Sequence, residues 1–451
     1  MSDRSVTVVG GGLAGIAAAL RCASEGAVVT LLESRGRLGG AAYSFERDGL
    51  RMDNGQHVFL RCCVAYRALL REIEAENLVT LQPRLRITVL APGGRRATLA
   101  RGSLPAPVHL AVALLRYPFI SPRQRLGVAR AMQALRSVDV DDPAADAQSF
   151  GGWLAEHGQQ GETLAAIWDL IARPTLNLGL ADASLAQAAQ VFQLGLLADA
   201  AAGDVGYAVV PLSEIHDVAA RRALTGAGVD VRLRHGVTSI VPTGSGFVIE
   251  HRGGGVVESD FVILAVPPTR AARLLPAGAR GTGISVDPAA LGSSPIVNLH
   301  IVYDRPVLDV PFAAGVRSPV QWMFDRTQSS GLNSGQYLAV SLSAADAELG
   351  ETVEQLRHRY LPALAELLPA ARGAKVKSFR VTREHAATFR ASPGVRALRP
   401  GPTTPIPGLF LAGTWTDTGW PATMEGAVLS GYAAARQILA ATATRQPALS
   451  G

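Results

Sequence analysis

Val6-Thr7-Val8-Val9 runs directly into Gly10-Gly11-Gly12-Leu13-Ala14-Gly15, and this stretch restricts what the rest of the chain can become. The Val and Thr residues read as a buried strand. Gly10, Gly12 and Gly15 stand at G-x-G-x-x-G spacing ahead of an Ala-rich apolar segment, residues 13–22, that reads as a helix. In such a unit the first glycine permits a tight turn, the second lets a pyrophosphate approach the backbone, and the third lets helix pack on strand. Free N–H groups at the helix start, from Leu13 and Ala14 onward, then face the phosphates. Gly-rich turns are common, so the context carries the reading. Residues 27–32 (AVVTLL) form a second strand ending in Glu33, the position from which an acid holds a ribose hydroxyl pair. Residues 5–33 are therefore a βαβ unit for the ADP half of a dinucleotide. A free 2′-hydroxyl is implied, which fits FAD or NAD better than NADP.

The chain's 451 residues allow two or three domains, and 48% hydrophobic against 18% charged residues describes a globular, rather apolar protein. No run of about 18 uncharged apolar residues stands out as a membrane span, and the N-terminus enters a strand without the order of a signal peptide. Cytoplasmic residence is the expectation. Cys22, Cys62 and Cys63 are too few and too clustered for a disulfide framework or a four-ligand metal site, so no metal is expected. Of the 43 basic residues only Lys375 and Lys377 are lysine. The positive charges are scattered and show no basic run interleaved with aromatics, which argues against a nucleic-acid partner.

Directly after Glu33 comes a second glycine-rich loop, Ser34-Arg35-Gly36-Arg37-Leu38-Gly39-Gly40-Ala41. Arg37 suits a phosphate, and the Gly pair lets backbone come close to an extended ligand. The spacing E-x-x-x-R-x-G-G resembles the FAD-binding signature of the flavin amine oxidase and carotenoid desaturase superfamily. The resemblance implies an α/β fold: a discontinuous, Rossmann-like FAD-binding domain with an inserted α+β substrate domain that includes a helical cap. It further implies that Asp53-Asn54-Gly55-Gln56-His57, a D-x-G-x-H element, lies close to the flavin, and that Val237 touches the adenine. Taken on its own, His57 is a hydrogen-bonded structural histidine; grouped with Asp53 and Gln56, it either lines the site or supports it.

The expected division is residues 1–90, 206–290 and 400–451 for the FAD domain, 91–205 for the cap and 291–399 for a β-rich substrate domain. Within the cap, apolar clusters (VHLAVALL, YPFI) precede a helical pattern bearing Arg123, Arg125, Arg130 and Arg136. A basic amphipathic segment beside exposed apolar residues suits an anionic membrane surface, and a solvated helix face is the alternative. Residues 163–178 read as a helix until Pro174, with Arg173 and Asn177 as candidates to hold a substrate hydroxyl or to serve as helix-end partners. The strands IVNLHIVYD, VQWMFD and QYLAVSLS, a helix over 352–368 and the strand VKSFRVTRE supply the floor of a substrate cavity. The Pro/Gly-rich stretch 399–408 reads as a return linker.

The most specific signal is C-terminal. Residues 408–413 form a strand ending in Gly413, a loop follows, and E-G-A-x-x-S-G opens the final helix. Here the superfamily places its second cofactor motif, so the resemblance assigns Gly413, Thr414, Trp420, Met424 and Glu425 to the cofactor. A helix starting near Ala422 would aim N–H groups at the flavin's O2 and N1 edge. Thr414 stands where the family usually has an acid, with Asp417 as its possible substitute.

DNGQHVF, ARPTLN, SPIVNLHIVYDRP, SPVQWMFDRT and TDTGWPATMEGAVLSG together resemble one branch, the hydroxysqualene dehydroxylases, from the N-terminus to about residue 438. That resemblance implies FAD as cofactor, a hydrophobic isoprenoid substrate and a role in squalene or hopanoid synthesis; with the basic amphipathic segment, the expectation is a peripheral protein on the inner face of the cell membrane. Asp53 or His57 would give polar assistance. An electron donor such as NADPH or a separate reductase is required. The alternative is a carotenoid-type desaturase, in which hydride moves the other way. An amine oxidase is disfavoured because 294–304 holds no lysine, and a flavin-free lipid carrier because Glu33, Arg37 and the C-terminal motif are retained.

Overall fold

The computed structural model describes residues 4–276 and 287–444. Parts of the expected FAD domain, 1–3, 277–286 and 445–451, lie outside the described residues. Five parallel strands form the first layer, in the order Asp230–Leu233, Val28–Glu33, Ser5–Val9, Phe261–Leu264, Leu409–Leu411. The central two are almost wholly buried, as a parallel sheet covered on both faces requires. The helix Leu13–Ser24 covers one face and packs against the C-terminal helix Met424–Thr444, so the two ends of the sequence meet there. Gly15 makes the first turn possible: a Cβ on it would lie 1.9 Å from the Gly10 carbonyl oxygen.

The second layer is a seven-stranded sheet, in the order Val376–Thr388, Ser294–Tyr303, Gln336–Ser343, Trp322–Asp325, Phe312–Gly315, Arg86–Ala91, Arg95–Ala100. Side chains alternate along a strand. Val297, Leu299 and Ile301 pack with Leu356, Tyr360 and Leu364 of the helix Val353–Leu367. Asn298 and His300 take the opposite phase, and Asn298 Nδ2 donates to the Asn54 carbonyl at 2.9 Å. The floor of the site is thus set by strand period.

Two expectations change. The boundary at 90/91 falls inside a hairpin, Arg86–Ala91 with Arg95–Ala100, which extends the substrate sheet through parallel pairing with Phe312–Gly315. The turn residue Gly93 at φ +80 closes that hairpin, so residues 95–100 are not cap. Pro174 does not end its helix, which runs over Asp169–Leu176. Proline leaves the carbonyl four residues earlier without its helical donor. Trp322 Nε1 reaches the Leu170 oxygen at 3.3 Å and supplies one from the sheet. The helix stops instead at Asn177, which adopts φ 52.

Helices Pro122–Leu135, Phe150–Glu156, Asp169–Leu176 and Leu185–Phe192 build the cap. Phe150, Trp153, Trp168 and Phe192 are buried at its centre with ring centroids about 5–6 Å apart.

Candidate functional site

Glu33 ends its strand with a carboxylate that is held on both oxygens: Oε2 accepts Gly11 N–H at 2.7 Å, and Oε1 accepts Arg35 N–H at 2.7 Å and the Ser34 hydroxyl at 3.0 Å. His235 N–H donates to the Glu33 carbonyl at 2.8 Å, which brings the head of the strand Val237–Pro242, with Val237 buried, beside the same residue. The two glycine-rich loops lie face to face. Gly40 sits at φ +58, and a Cβ on it would come within 2.8 Å of Gly12 Cα; Gly39 N–H donates to the Gly11 carbonyl at 2.9 Å. Gly12 caps the helix without any side-chain bond, so the N–H groups of Leu13 and Ala14 are left to a ligand. Arg37 stacks on Tyr43, with Cζ 3.5 Å from the ring centroid, and its Nη1 donates to the carbonyls of Leu38 and Gly40 at 3.1 and 3.2 Å. A side-chain-free wall, an acid at one end and an arginine at the other fit an ADP-bearing dinucleotide.

The C-terminal loop is braced by a residue that reads in the sequence as linker. Arg399 is 4% exposed, and its Nη2 donates to the carbonyls of Thr414, Thr416 and Trp420 at 3.3, 2.7 and 2.7 Å. Burial pushes its pKa down to about 10, opposed by Asp417. Met424 opens the final helix, two residues beyond the expected start at Ala422, and the Thr423 hydroxyl accepts Gly426 N–H at 3.2 Å. Trp420 and Met424 are half-buried against the nucleotide core, and the Thr414 hydroxyl makes no bond to the described residues. Gly413 N–H is donated to Ser430 Oγ at 2.8 Å, which ties the loop to the final helix. Two expectations change. Asp417 is engaged by Gly419 N–H at 3.1 Å and Arg396 at 3.7 Å, so it is no free substitute for an acid at 414. Glu425 is 1% exposed and accepts the N–H groups of Ala65 and Tyr66 at 2.9 and 2.7 Å, capping the helix Val64–Glu72 in place of a cofactor contact. Burial raises the Glu425 pKa, and these backbone bonds oppose the rise.

The segment 53–57 joins both halves. Asp53 pairs with Arg326 at 2.7 Å, and its other oxygen accepts the Ser44 hydroxyl at 2.6 Å and Leu212 N–H at 3.0 Å. Both oxygens of Asp53 are committed to these partners, so it positions its neighbours. Asn54 braces three segments: it accepts Tyr43 N–H and donates to the Ala41 carbonyl and to Glu384. Gly55 is buried, and its carbonyl receives His57 Nδ1 at 3.1 Å. The imidazole is therefore protonated on Nδ1 and presents Nε2 as an acceptor. Burial lowers the His57 pKa, which favours that neutral form. Gln56 Nε2 is enclosed without a partner. Asp53, Gln56 and His57 line a small cleft of about 10 Å³ with Tyr207, Phe324, Asp325 and Arg326.

The cap candidates fall elsewhere. Arg173 is paired with Asp169 at 2.7 Å, one helical turn away. Asn177 is 2% exposed and spends its amide as a staple, donating to the Ser294 carbonyl and Thr388 Oγ1 and accepting Ala344 N–H. Asn177 therefore has no amide atom free to hold a hydroxyl, whereas Arg173 commits only Nε to its pair with Asp169. Sequence reasoning missed Tyr207, Arg326 and Arg399. Only Arg326 had a signal, its place in the motif DRT.

A parallel dinucleotide sheet with a second sheet laid over its ligand loops defines a flavoprotein oxidoreductase. Residues 13–439 match the model of the flavin containing amine oxidoreductases, and the chain belongs to that family. It is 31% identical to hydroxysqualene dehydroxylase of Rhodopseudomonas palustris over 97% of this chain and 99% of that one. It is 24% identical to zeta-carotene desaturase of Arabidopsis thaliana over 96% of this chain and 85% of the relative. Among solved structures, putrescine oxidase superposes with a TM-score of 0.72 at 20% identity, covering 97% of this chain and 99% of the other. The cofactor is FAD, and the protein is an FAD-dependent oxidoreductase.

Proposed function

We propose that the protein reduces hydroxysqualene to squalene, removing an allylic hydroxyl as water. The observation that carries this reading is the similarity to hydroxysqualene dehydroxylase along the whole of both chains. Bound FAD, once reduced, would supply the hydride, and a proton from the protein or solvent would leave with the hydroxyl as water. Glu33 would hold the adenosine ribose, the loops at 10–15 and 37–41 the diphosphate, and Arg399 would fix the loop against the ring. Asp53 and Arg326 anchor the segment that carries His57, and the cap's aromatic core keeps water from the isoprenoid. Electrons come from NADPH or a separate reductase.

Incubating the reduced holoenzyme with hydroxysqualene and analysing by mass should yield squalene; its absence ends the proposal. The second reading, carotenoid-type desaturation, draws on the likeness to zeta-carotene desaturase. Under anaerobic conditions, bleaching of oxidised flavin by a polyene precursor would favour it.

The substrate is apolar, so access from a lipid surface is part of the same reading. Among the described residues no helix is long and apolar enough to cross a membrane. Leu104, Val108, Val112, Leu115 and Leu126 are nevertheless all about half exposed or more, within one stretch of the cap. Arg116, Arg123 and Arg130 are exposed beside them. Such a face suits peripheral contact with an anionic leaflet.

A further inference from the structure

The cleft beside the FAD loops is lined by six polar side chains, and they divide into two sets. Asp53, Asp325 and Arg326 are spent within the protein. Asp53 and Arg326 pair with each other, and Arg326 also donates to the carbonyls of Ala208 and Val210. Asp325 accepts from Thr327 and from Gln336 Nε2. The other set, Gln56, His57 and Tyr207, keeps unclaimed polar atoms. Gln56 Nε2 is enclosed with no partner, and neither His57 Nε2 nor Tyr207 Oη bonds to a described residue. Leaving Gln56 Nε2 dry costs about 1–3 kcal/mol, and its place beside the open His57 Nε2 and Tyr207 Oη in one hydroxyl-sized cleft calls for a ligand.

The fold fixes their relation. Tyr207 lies at the middle of a three-stranded antiparallel sheet, opposite Val58 on one side and Thr80 on the other. Val58 directly follows His57, so the pairing brings the backbone of residue 57 beside Tyr207, and both side chains line the cleft. The Tyr207 ring is held edge-on against Phe312, centroids 5.6 Å apart, and Phe312 packs on Phe324 at 6.0 Å. The hydroxyl is thus presented on a rigid apolar wall. Tyr207 Oη–H is a donor, whereas His57 Nε2, with the proton on Nδ1, is an acceptor.

We propose that Tyr207 and His57 form a hydroxyl-binding subsite for an alcohol: Tyr207 donates to the alcohol oxygen and His57 Nε2 accepts its proton. A hydroxyl offers one donor and two acceptor positions, and Gln56 Nε2 adjoins to fill the second. A hydrocarbon can satisfy none of these groups. The pair therefore selects the alcohol over the corresponding alkene and favours release of the alkene. The inference deepens the proposed dehydroxylation and rests on it for the identity of the alcohol.

The test uses the oxidised, FAD-loaded protein, in which no turnover occurs. Hydroxysqualene and squalene are titrated separately, and binding is read from tryptophan fluorescence and from the visible flavin band. Wild type should bind the alcohol at least tenfold more tightly than the hydrocarbon. Tyr207→Phe, which keeps the ring and its packing, should lose most of that ratio, about tenfold, with squalene affinity unchanged. The alcohol preference should also weaken as pH falls below the usual histidine range, because protonated His57 no longer accepts. The ionisable groups facing His57 are Asp53, Glu384 and His216, and Tyr207→Phe should leave that pH profile in place. An unchanged alcohol-to-alkene ratio in Tyr207→Phe overturns the subsite. So does a loss of FAD affinity without a change in that ratio, since the cleft would then belong to the cofactor. If the ratio behaves as stated while the reduced enzyme makes no squalene, the subsite stands and the dehydroxylation reading falls.

Discussion

Asp53 shows how a residue in a motif can serve a site without acting in it. Its carboxylate is buried, bonded on both oxygens and paired with a guanidinium that is itself 8% exposed. Removing one partner of such a pair strands the other charge in a poorly solvated place, which typically costs about 3–5 kcal/mol. Asp53→Ala should therefore lower the urea-unfolding free energy by about that much. Asp53→Ala combined with Arg326→Met should recover a large part of it, because no charge is left behind. A double variant as unstable as the single one would show that the pair's value lies in the hydrogen bonds to Ser44 and Leu212. Asp53→Asn should leave the pH dependence of turnover unmoved, unlike the loss expected of a proton donor.

At the scale of elements, what could be read from sequence was local. The strand, turn, helix and second strand over residues 5–33 announce themselves through glycine spacing and an acid at the right distance, because backbone approach and φ are decided within a few residues. The C-terminal motif is legible for the same reason. Pairings across the chain were not legible. Glu425 reads as part of a cofactor motif, yet its partners lie 359 and 360 positions away at the start of a helix. Arg399 looks like linker because its three acceptors are carbonyls, which no side-chain pattern reveals. The strand Phe312–Gly315 (FAAG) has too little alternation to stand out and is fixed by its neighbours in the sheet. The cap's apolar face was legible as pattern, but only in part as charge. Arg125 folds back, its guanidinium donating to the carbonyls of Ile120 and Leu115. The exposed arginines of this stretch are Arg116, Arg123, Arg130 and Arg136. Burying a leucine in lipid is worth about 1.5–3 kcal/mol and each basic residue at an anionic surface about 1 kcal/mol. Leu115→Ser with Leu126→Ser should thus cut flotation with phosphatidylserine liposomes by tenfold or more. Arg123→Gln with Arg130→Gln should lower it mainly at low salt. Flotation that ignores both pairs of changes would mean the face does not meet lipid.

Across the whole molecule, the two halves share a dependence on neutral histidines. His216 bridges the second glycine loop and the helix Val64–Glu72, with Nδ1 on the Ala42 carbonyl at 3.2 Å and Nε2 against the Tyr66 hydroxyl at 2.8 Å. His300 stands in the substrate sheet between the Tyr337 hydroxyl at 2.6 Å and Thr382 Oγ1 at 3.0 Å. Burial lowers both pKa values from 6.5 to about 4. The unfolded chain thus takes up a proton at each site near pH 6.5 while the folded chain does not. Their stabilisation is complete above that pH and is lost as pH falls toward 4. Each histidine contributes up to about 1.4 kcal/mol per pH unit in that window, about 3 kcal/mol in all. Asp169 and Glu425, whose carboxyls burial raises, act with the opposite sign over part of the same range. The comparison that isolates the effect is therefore between wild type and His300→Gln, by urea unfolding from pH 7.5 to 4.5. His300→Gln should be less stable than wild type at pH 7.5 and should lose less on acidification, so the two curves converge as pH falls. Parallel curves would mean that His300 carries its proton in the folded protein, which would require the Tyr337 hydroxyl to act as acceptor in the middle of the substrate sheet.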